Sequence, residues 1–302
     1  MGRDNGAAKA QAAAMKLALG TVQFGCSYGV SNQNGQVPFD EVKRILDLAT
    51  DLGVDTLDTA IGYGSAEDVL GRVNCRRFRV ISKLPPLASD ISEVYAWVRD
   101  QVAASLQRLK IESLDCILLH RPSDLSGSRG EELAAALIKL KTSGLSRRIG
   151  VSIYGPQELQ TICNVLLPDV VQAPMNLVDR RLESSGWLSR LRAINAEIHV
   201  RSVFLQGLLL MESEDLPPQF EQWKWIWERR DRILAETKRS RIEACLSYPL
   251  GRSDVSRIVV GVQTAEQLRA ISAARVGDYD KNLDSLMSND LLLINPSKWS
   301  HL

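Results

Sequence analysis

Short apolar runs alternate with amphipathic stretches from about residue 17 to residue 273. The runs are LALGTVQFG (17–25), TLDTA (56–60), RVISKL (79–84), DCILLH (115–120), RIGVSI (148–153), DVVQAPM (169–175), EIHVRSVF (197–204) and RIVVGV (257–262). Most are rich in Val, Ile and Leu without polar alternation, the pattern of parallel strands covered on both faces. The stretches between them carry helix signals. PFDEVKRILDLATDLG has Pro38 at its start, acids behind it and Gly53 at its end, as helices commonly open and stop. In ISEVYAWVRDQVAASLQRLK, the residues Val94, Trp97, Val98, Val102, Leu106 and Leu109 fall on one side. EELAAALIKLKTSG closes on lysines and Gly144, which suits a helix C-terminus.

Eight such units predict an α/β chain folded as a (β/α)8 TIM barrel, one domain over residues 16–302. A doubly wound sheet is the structural rival, but no GxGxxG follows the first strand. The polar, alanine-rich residues 1–15 read as a disordered leader, since they hold no apolar core of the kind a signal peptide needs.

Composition adds exclusions. A hydrophobic content of 45% in 302 residues supports one large core. Lys plus Arg number 37 against 36 for Asp plus Glu, so charge gives no reason to expect a nucleic-acid or polyanion partner. No apolar stretch is long enough to span a membrane. The five cysteines, Cys26, Cys75, Cys116, Cys163 and Cys245, show no CxxC spacing. Free thiols in a reducing compartment follow, with no zinc site and the cytoplasm as the expected location. Cys116 lies in an apolar run and reads as core.

A barrel of this kind places its chemistry at the C-terminal ends of its strands. Strand two ends with Asp58 and leads to Tyr63; strand three ends with Lys83 and strand four with His120. Strands five, six and seven end near Ser152, Gln172 and the pair Arg201–Ser202. One such residue alone reads as a local salt bridge or cap. Asp, Tyr, Lys and His from adjacent strands read as a site. A free phenol has a pKa of about 10, and a neighbouring ammonium lowers it. Lys83 can supply that charge and Asp58 can hold Lys83 protonated. Tyr63 then exchanges a proton with a developing alkoxide, while His120 hydrogen-bonds and orients the carbonyl oxygen. Only His120, His199 and His301 are present as histidines, and no metal cluster is expected.

Over residues 17 to about 273 the chain resembles the aldo-keto reductases. GVDTLDTAIGYGSAEDVLG resembles that family's strand-two signature, VISKL the lysine-bearing strand and DCILLHRP the histidine-bearing strand. The resemblance implies a catalytic tetrad of Asp58, Tyr63, Lys83 and His120. It also implies a nicotinamide cofactor lying across the barrel mouth, with Asp58 contributing to its site. LGTVQFG is similar to the cofactor-contacting first strand, with Gly20 and Thr21. RIGVSI keeps Ser152 of the carboxamide-holding pair but has Ile153 where Asn is usual, and VVQAPMNL supplies Gln172. VRSVFLQGLLL resembles the segment after strand seven, so Arg201, Ser202, Val203, Phe204 and Gly207 are implied contacts. Arg201 replaces a common aromatic. Its guanidinium can stack on a ring, or it forms a salt bridge at the rim. VVGVQTAEQL resembles the last cofactor motif, with Gly261, Gln263, Thr264 and Gln267. Relatives that prefer NADPH often carry a basic residue where Gln263 and Thr264 stand. NADPH is the implied cofactor, NADH is not excluded, and Arg269 is a basic residue that can compensate.

Tyr28, in a Gly- and Asn-rich loop, joins Tyr63 and His120 as a substrate contact, or is part of an ordinary surface turn. QFEQWKWIWERRDRI (219–233) either packs against the barrel or covers the mouth as a lid. Arg121 and Trp187 are further rim candidates. The tail, 277–302, looks too short to grip a substrate and leaves the pocket open. The resulting expectation is a monomeric NAD(P)H-dependent oxidoreductase for a small aldehyde or ketone. Two alternatives keep the barrel: a Schiff-base lyase or aldolase built on Lys83, and a non-catalytic cofactor-binding subunit.

Overall fold

The computed structural model describes residues 16–301; the expected leader, 1–15, lies outside the described residues. The strands are β1 (Leu17–Gly20), β2 (Thr56–Asp58), β3 (Arg79–Leu84), β4 (Leu114–Leu119), β5 (Ser146–Ser152), β6 (Val170–Pro174), β7 (Glu197–Arg201) and β8 (Val255–Gly261). They close into a barrel in sequence order, and β8 pairs in parallel with β1. The (β/α)8 reading holds.

In β1 and β7 the apolar run continues three or more residues past the end of the strand. β1 stops at Gly20, and Val22–Gly25 form a helical turn. There the Phe24 N–H turns back to the Thr21 carbonyl at 2.9 Å. β7 stops at Arg201 because Ser202 adopts a φ of 59°. Phe24 and Val203 are nevertheless buried, so hydrophobic pattern alone did not mark either end.

The helices that cover the barrel follow their sequence signals. Helix α1 (Phe39–Asp51) buries Val42, Ile45, Leu46 and Ala49, and Gly53 beyond it takes a φ of 76°. The short α2 (Ala66–Arg72) follows β2. Helix α3 (Val94–Leu109) buries Val94, Val98, Val102, Leu106 and Leu109, with Trp97 half-buried. Helix α4 (Gly130–Thr142) ends before Gly144, whose φ is 81°. Among the described residues, no helix is long and apolar enough to cross a membrane.

The 219–233 segment packs and does not cover the mouth. Phe220, Trp223 and Trp227 are buried. Trp223 donates to the Asp290 carboxylate at 3.0 Å, and Phe220 meets Trp299 edge-on at 4.9 Å. These contacts fasten the C-terminal segment to the 3-10 turn (Pro218–Trp223) that leads into helix α5 (Lys224–Thr237).

Inside the barrel, Ile81, Cys116, Leu118 and Val170 form a separate apolar cluster. Alternate residues of a strand share a face. Lys83 therefore shares a face with Ile81, and Gln172 shares one with Val170. The polar residues at the strand ends stand on this dry floor, which fixes their electrostatics.

Candidate active site

A cavity of about 700 Å³ opens at the C-terminal end of the barrel. At its base Lys83 Nζ donates to Asp58 Oδ1 at 2.6 Å and to the Thr59 carbonyl at 2.9 Å. The other carboxylate oxygen of Asp58 accepts from Gln172 Nε2 at 2.6 Å, and Gln172 Oε1 accepts from Ser152 Oγ at 2.9 Å. Thr21 donates its backbone N–H and its hydroxyl to the Asp58 carbonyl at 2.9 and 3.1 Å. One buried polar chain thus joins β2, β3, β5, β6 and the residue after β1. Lys83 is 1% exposed and Asp58 4%, and such a buried pair is tolerated when its remaining valences are satisfied. Burial pushes the Lys83 ammonium below its ordinary pKa, and Asp58 opposes that shift.

Tyr63 sits in the turn between β2 and α2, and the glycines of that stretch explain its placement. A Cβ on Gly25 would lie 1.8 Å from the Tyr63 carbonyl oxygen. Only a glycine there lets the turn after β1 pack beneath the tyrosine. Gly64 takes a φ of 54°, a left-handed conformation that glycine adopts without a steric cost. The Tyr63 ring lies with its centroid 5.1 Å from Lys83 Nζ. It meets the His120 ring edge-on at 5.8 Å. The structure therefore brings Asp58, Tyr63, Lys83 and His120 together.

The electrostatics differ from the expectation at one point. The Tyr63 pKa is raised, not lowered: burial dominates, Asp58 adds to it, and Arg201 only partly opposes it. The Lys83 charge is offset by the carboxylate bonded to it, which leaves desolvation to decide. His120 is pushed down to about 4, chiefly by burial and then by Lys83 and Arg201. Its imidazole is neutral at neutral pH.

Of the remaining sequence candidates, Gly20, Thr21, Ser152 and Gln172 line the cavity at the ends of β1, β5 and β6. Arg201, Ser202, Val203, Phe204 and Gly207 line it beyond β7, and Gly261, Gln263 and Gln267 beyond β8. Thr264 is not among the wall residues. Its hydroxyl accepts the Gln267 N–H at 3.2 Å and caps helix α6 (Ala265–Ala273). Gln267 Oε1 in turn accepts the Gln263 N–H at 2.7 Å. Arg269, Arg121 and Trp187 are not wall residues either; Arg121 is held by Asp124 at 2.6 Å.

The segment after β7 is unusual. Ser202, Leu205 and Gln206 have φ values of 59°, 48° and 56°, and Gly207 has 93°. Each non-glycine residue held so costs on the order of 1–3 kcal/mol, and such strain clusters at ligand clamps. A Cβ on Gly207 would lie 2.0 Å from Ser31 Oγ, so the glycine lets the loop after β1 cross it. Tyr28, in that loop, lines the cavity and accepts from Gln206 Nε2 at 3.1 Å. Gln23 also lines the cavity, and its amide oxygen is buried without a hydrogen-bond partner among the described residues. A cleft walled by glycines, with an unpaired acceptor, fits an extended ligand bearing its own N–H or O–H donors. A nicotinamide dinucleotide is such a ligand.

Sequence reasoning missed several walls. Tyr154 lies two residues past Ser152 and lines the cavity; reading past the strand end would have found it. Gln23 was hidden in a run assigned to the first strand. Pro296 and Ser297 also line the cavity, so the tail contributes a wall and does not leave the mouth wholly open. No local signal marks them, because tertiary packing brings them there.

The model of the Aldo/keto reductase family matches residues 16–282. The Uncharacterized oxidoreductase YqkF of Bacillus subtilis (strain 168) is 27% identical over 274 residues, covering 82% of this chain and 88% of its own. The L-glyceraldehyde 3-phosphate reductase of Escherichia coli (strain K12) is 28% identical over 284 residues, covering 80% of this chain and 81% of its own. Among solved structures, the holo form of aldo-keto reductase AKR11C1 from Bacillus halodurans is alike in fold. It has a TM-score of 0.71 at 20% identity and covers 94% of this chain and 95% of its own.

Proposed function

The chain belongs to the aldo/keto reductase family and is an NAD(P)H-dependent oxidoreductase, and from that premise we propose that Asp58, Tyr63, Lys83 and His120 reduce the carbonyl of a small aldehyde or ketone. The observation that carries this reading is the buried chain from Ser152 through Gln172 and Asp58 to Lys83, directly beneath Tyr63. Tyr63, held protonated by burial, delivers a proton to the carbonyl oxygen. Neutral His120 donates a hydrogen bond to the same oxygen and fixes its direction. Lys83 and Asp58 hold the tyrosine in place and keep the charge beneath it balanced. The nicotinamide, when bound, supplies the hydride. Ser152 and Gln172 retain unused hydrogen-bonding valences to hold its carboxamide. The strained segment through Gly207, with Gly261, Gln263 and Gln267, suits its phosphates and adenosine.

A lyase built on a Lys83 Schiff base is less well supported. Lys83 is sealed under Asp58 and is not a wall residue of the cavity, so a substrate carbonyl has no approach to it.

We propose that the protein accepts both NADPH and NADH, with no strong preference for the NADPH that the family resemblance implies. The wall at Gln263 and Gln267 carries no basic side chain among the described residues, whereas a 2′-phosphate favours basic partners. Fluorescence titration is expected to give Kd values for NADPH and NADH within about tenfold of each other, about 1.4 kcal/mol. Gln263→Lys should tighten NADPH alone. If neither dinucleotide binds, the reductase proposal fails. If both bind and no carbonyl in a broad panel is turned over, a binding subunit replaces it.

His120 sets a second expectation. With its pKa near 4, the imidazole stays neutral as pH falls from 8 to about 5, and kcat/KM should show no inflection near the ordinary histidine value of about 6.5. Protonation, and any loss tied to it, begins only as pH approaches 4. A wild-type inflection near 6.5 that disappears in His120→Asn would sink this assignment.

A further inference from the structure

Among the described residues, the charged side chains that line the cavity are Asp58 and Arg201. Asp58 is neutralised by Lys83 at 2.6 Å. Arg201 is different: among the described residues it has no carboxylate in ion-pair range. Its guanidinium is half-buried and donates to the Ile153 carbonyl at 2.9 Å and to Ser202 Oγ at 3.2 Å. That engages two of its five N–H donors. Both acceptors are neutral. A partly desolvated cation with no counter-ion favours an anionic ligand, and the cavity retains a net positive charge.

The direction of the side chain indicates which ligand brings that counter-charge. Arg201 stands at the end of β7 and reaches across β6 to the residue after β5. There its guanidinium carbon lies 5.2 Å from the centre of the Tyr154 ring. Its charge acts on Tyr28, Tyr63 and His120. The glycine-rich walls at Gly207 and Gly261 lie on the other flank, beyond β7 and β8. The cation therefore faces the carbonyl-handling side of the cavity, not the walls suited to the cofactor's phosphates.

We propose that Arg201 is a specificity-determining residue that selects carbonyl substrates bearing an anionic group, a carboxylate or a phosphate. This rests on the reductase reading above. Tyr28 and Tyr154 line the same cavity, and a phenol can donate a hydrogen bond to an anion. Arginine suits the task, because its planar fork matches both anions in a bidentate geometry. The anion binds before and after reduction alike, so its contribution is uniform binding and falls mainly on KM.

The test pairs aldehydes of matched shape: 4-oxobutanoate with butanal, and 4-carboxybenzaldehyde with its methyl ester. Steady-state kinetics with NADPH are measured for wild type, Arg201→Gln and Arg201→Lys, with Kd for NADPH from fluorescence alongside. In wild type the anionic member of each pair is expected to have a kcat/KM about tenfold or more higher, the gain of one charge-assisted contact. Arg201→Gln should erase that ratio through KM and Arg201→Lys should keep part of it; because Arg201 bonds beside Ser152, Kd for NADPH separates a substrate effect from a cofactor effect. A wild-type ratio near one overturns the inference, as does a ratio that survives in Arg201→Gln. A loss of NADPH affinity in Arg201→Gln with the ratio intact also overturns it, assigning the charge to the cofactor. Reduction of only the neutral members defeats this inference and leaves the reductase reading standing. Bound NADPH with no reduction of any member defeats both.

Discussion

Replacing Tyr63 by Phe is expected to lower kcat/KM for aldehyde reduction by about two to four orders of magnitude, the usual worth of a positioned general acid, with NADPH affinity unchanged. The substitution removes one oxygen. The ring that meets His120 edge-on at 5.8 Å stays, and the phenol makes no side-chain hydrogen bond among the described residues whose loss would disturb the fold. Steady-state kinetics beside cofactor titration separate chemistry from binding. The raised pKa of Tyr63 gives the two directions different pH behaviour. Burial and Asp58 keep the phenol protonated well above neutral pH, so reduction draws on the resting form and is flat with respect to this group from about pH 6 to 9. Alcohol oxidation needs the phenolate as acceptor, and its rate should climb with pH through that range. A Phe variant that keeps activity within about tenfold of wild type would mean that the proton comes from elsewhere, His120 N–H being the nearest candidate.

The strands were legible because a barrel strand buried on both faces is an apolar run with little alternation. Asp58, Lys83 and His120 were legible for the complementary reason. A charged or ionisable residue closing such a run has no packing explanation. Strand ends were harder to read where the chain stays apolar after it turns, as at Phe24 and Val203. Thr264 shows a different ambiguity. A threonine opening a helix can cap it or face a ligand, and only the hydrogen bond to the Gln267 N–H separates the two. The sign of the Tyr63 shift was also beyond sequence reach. It depends on how dry the site is and on how closely Asp58 neutralises Lys83. Both are consequences of the apolar floor formed by Ile81, Cys116, Leu118 and Val170.

That floor makes the Asp58–Lys83 pair the site of the second large effect. Lys83→Met leaves the Asp58 carboxylate buried with hydrogen bonds but no counter-charge. Breaking a buried pair from one side costs about 3–5 kcal/mol, enough to lower Tm by roughly 2–4 °C per kcal/mol in a domain somewhat smaller than this one. Activity should be lost as well, since Tyr63 then stands over a bare negative charge. That pushes its pKa further up and makes it a weaker donor. In the double variant Asp58→Asn/Lys83→Met both charges are gone, and the asparagine can still bond Gln172. Thermal unfolding should recover most of the lost stability, because a dry apolar surround favours a neutral pair over a lone ion. Turnover should stay low, because the methionine has no ammonium to support the tyrosine. The cycle separates two roles that a single substitution confounds. Recovery of stability without recovery of kcat assigns the pair to tuning and positioning Tyr63. Recovery of both would reduce it to a packing element of the barrel floor.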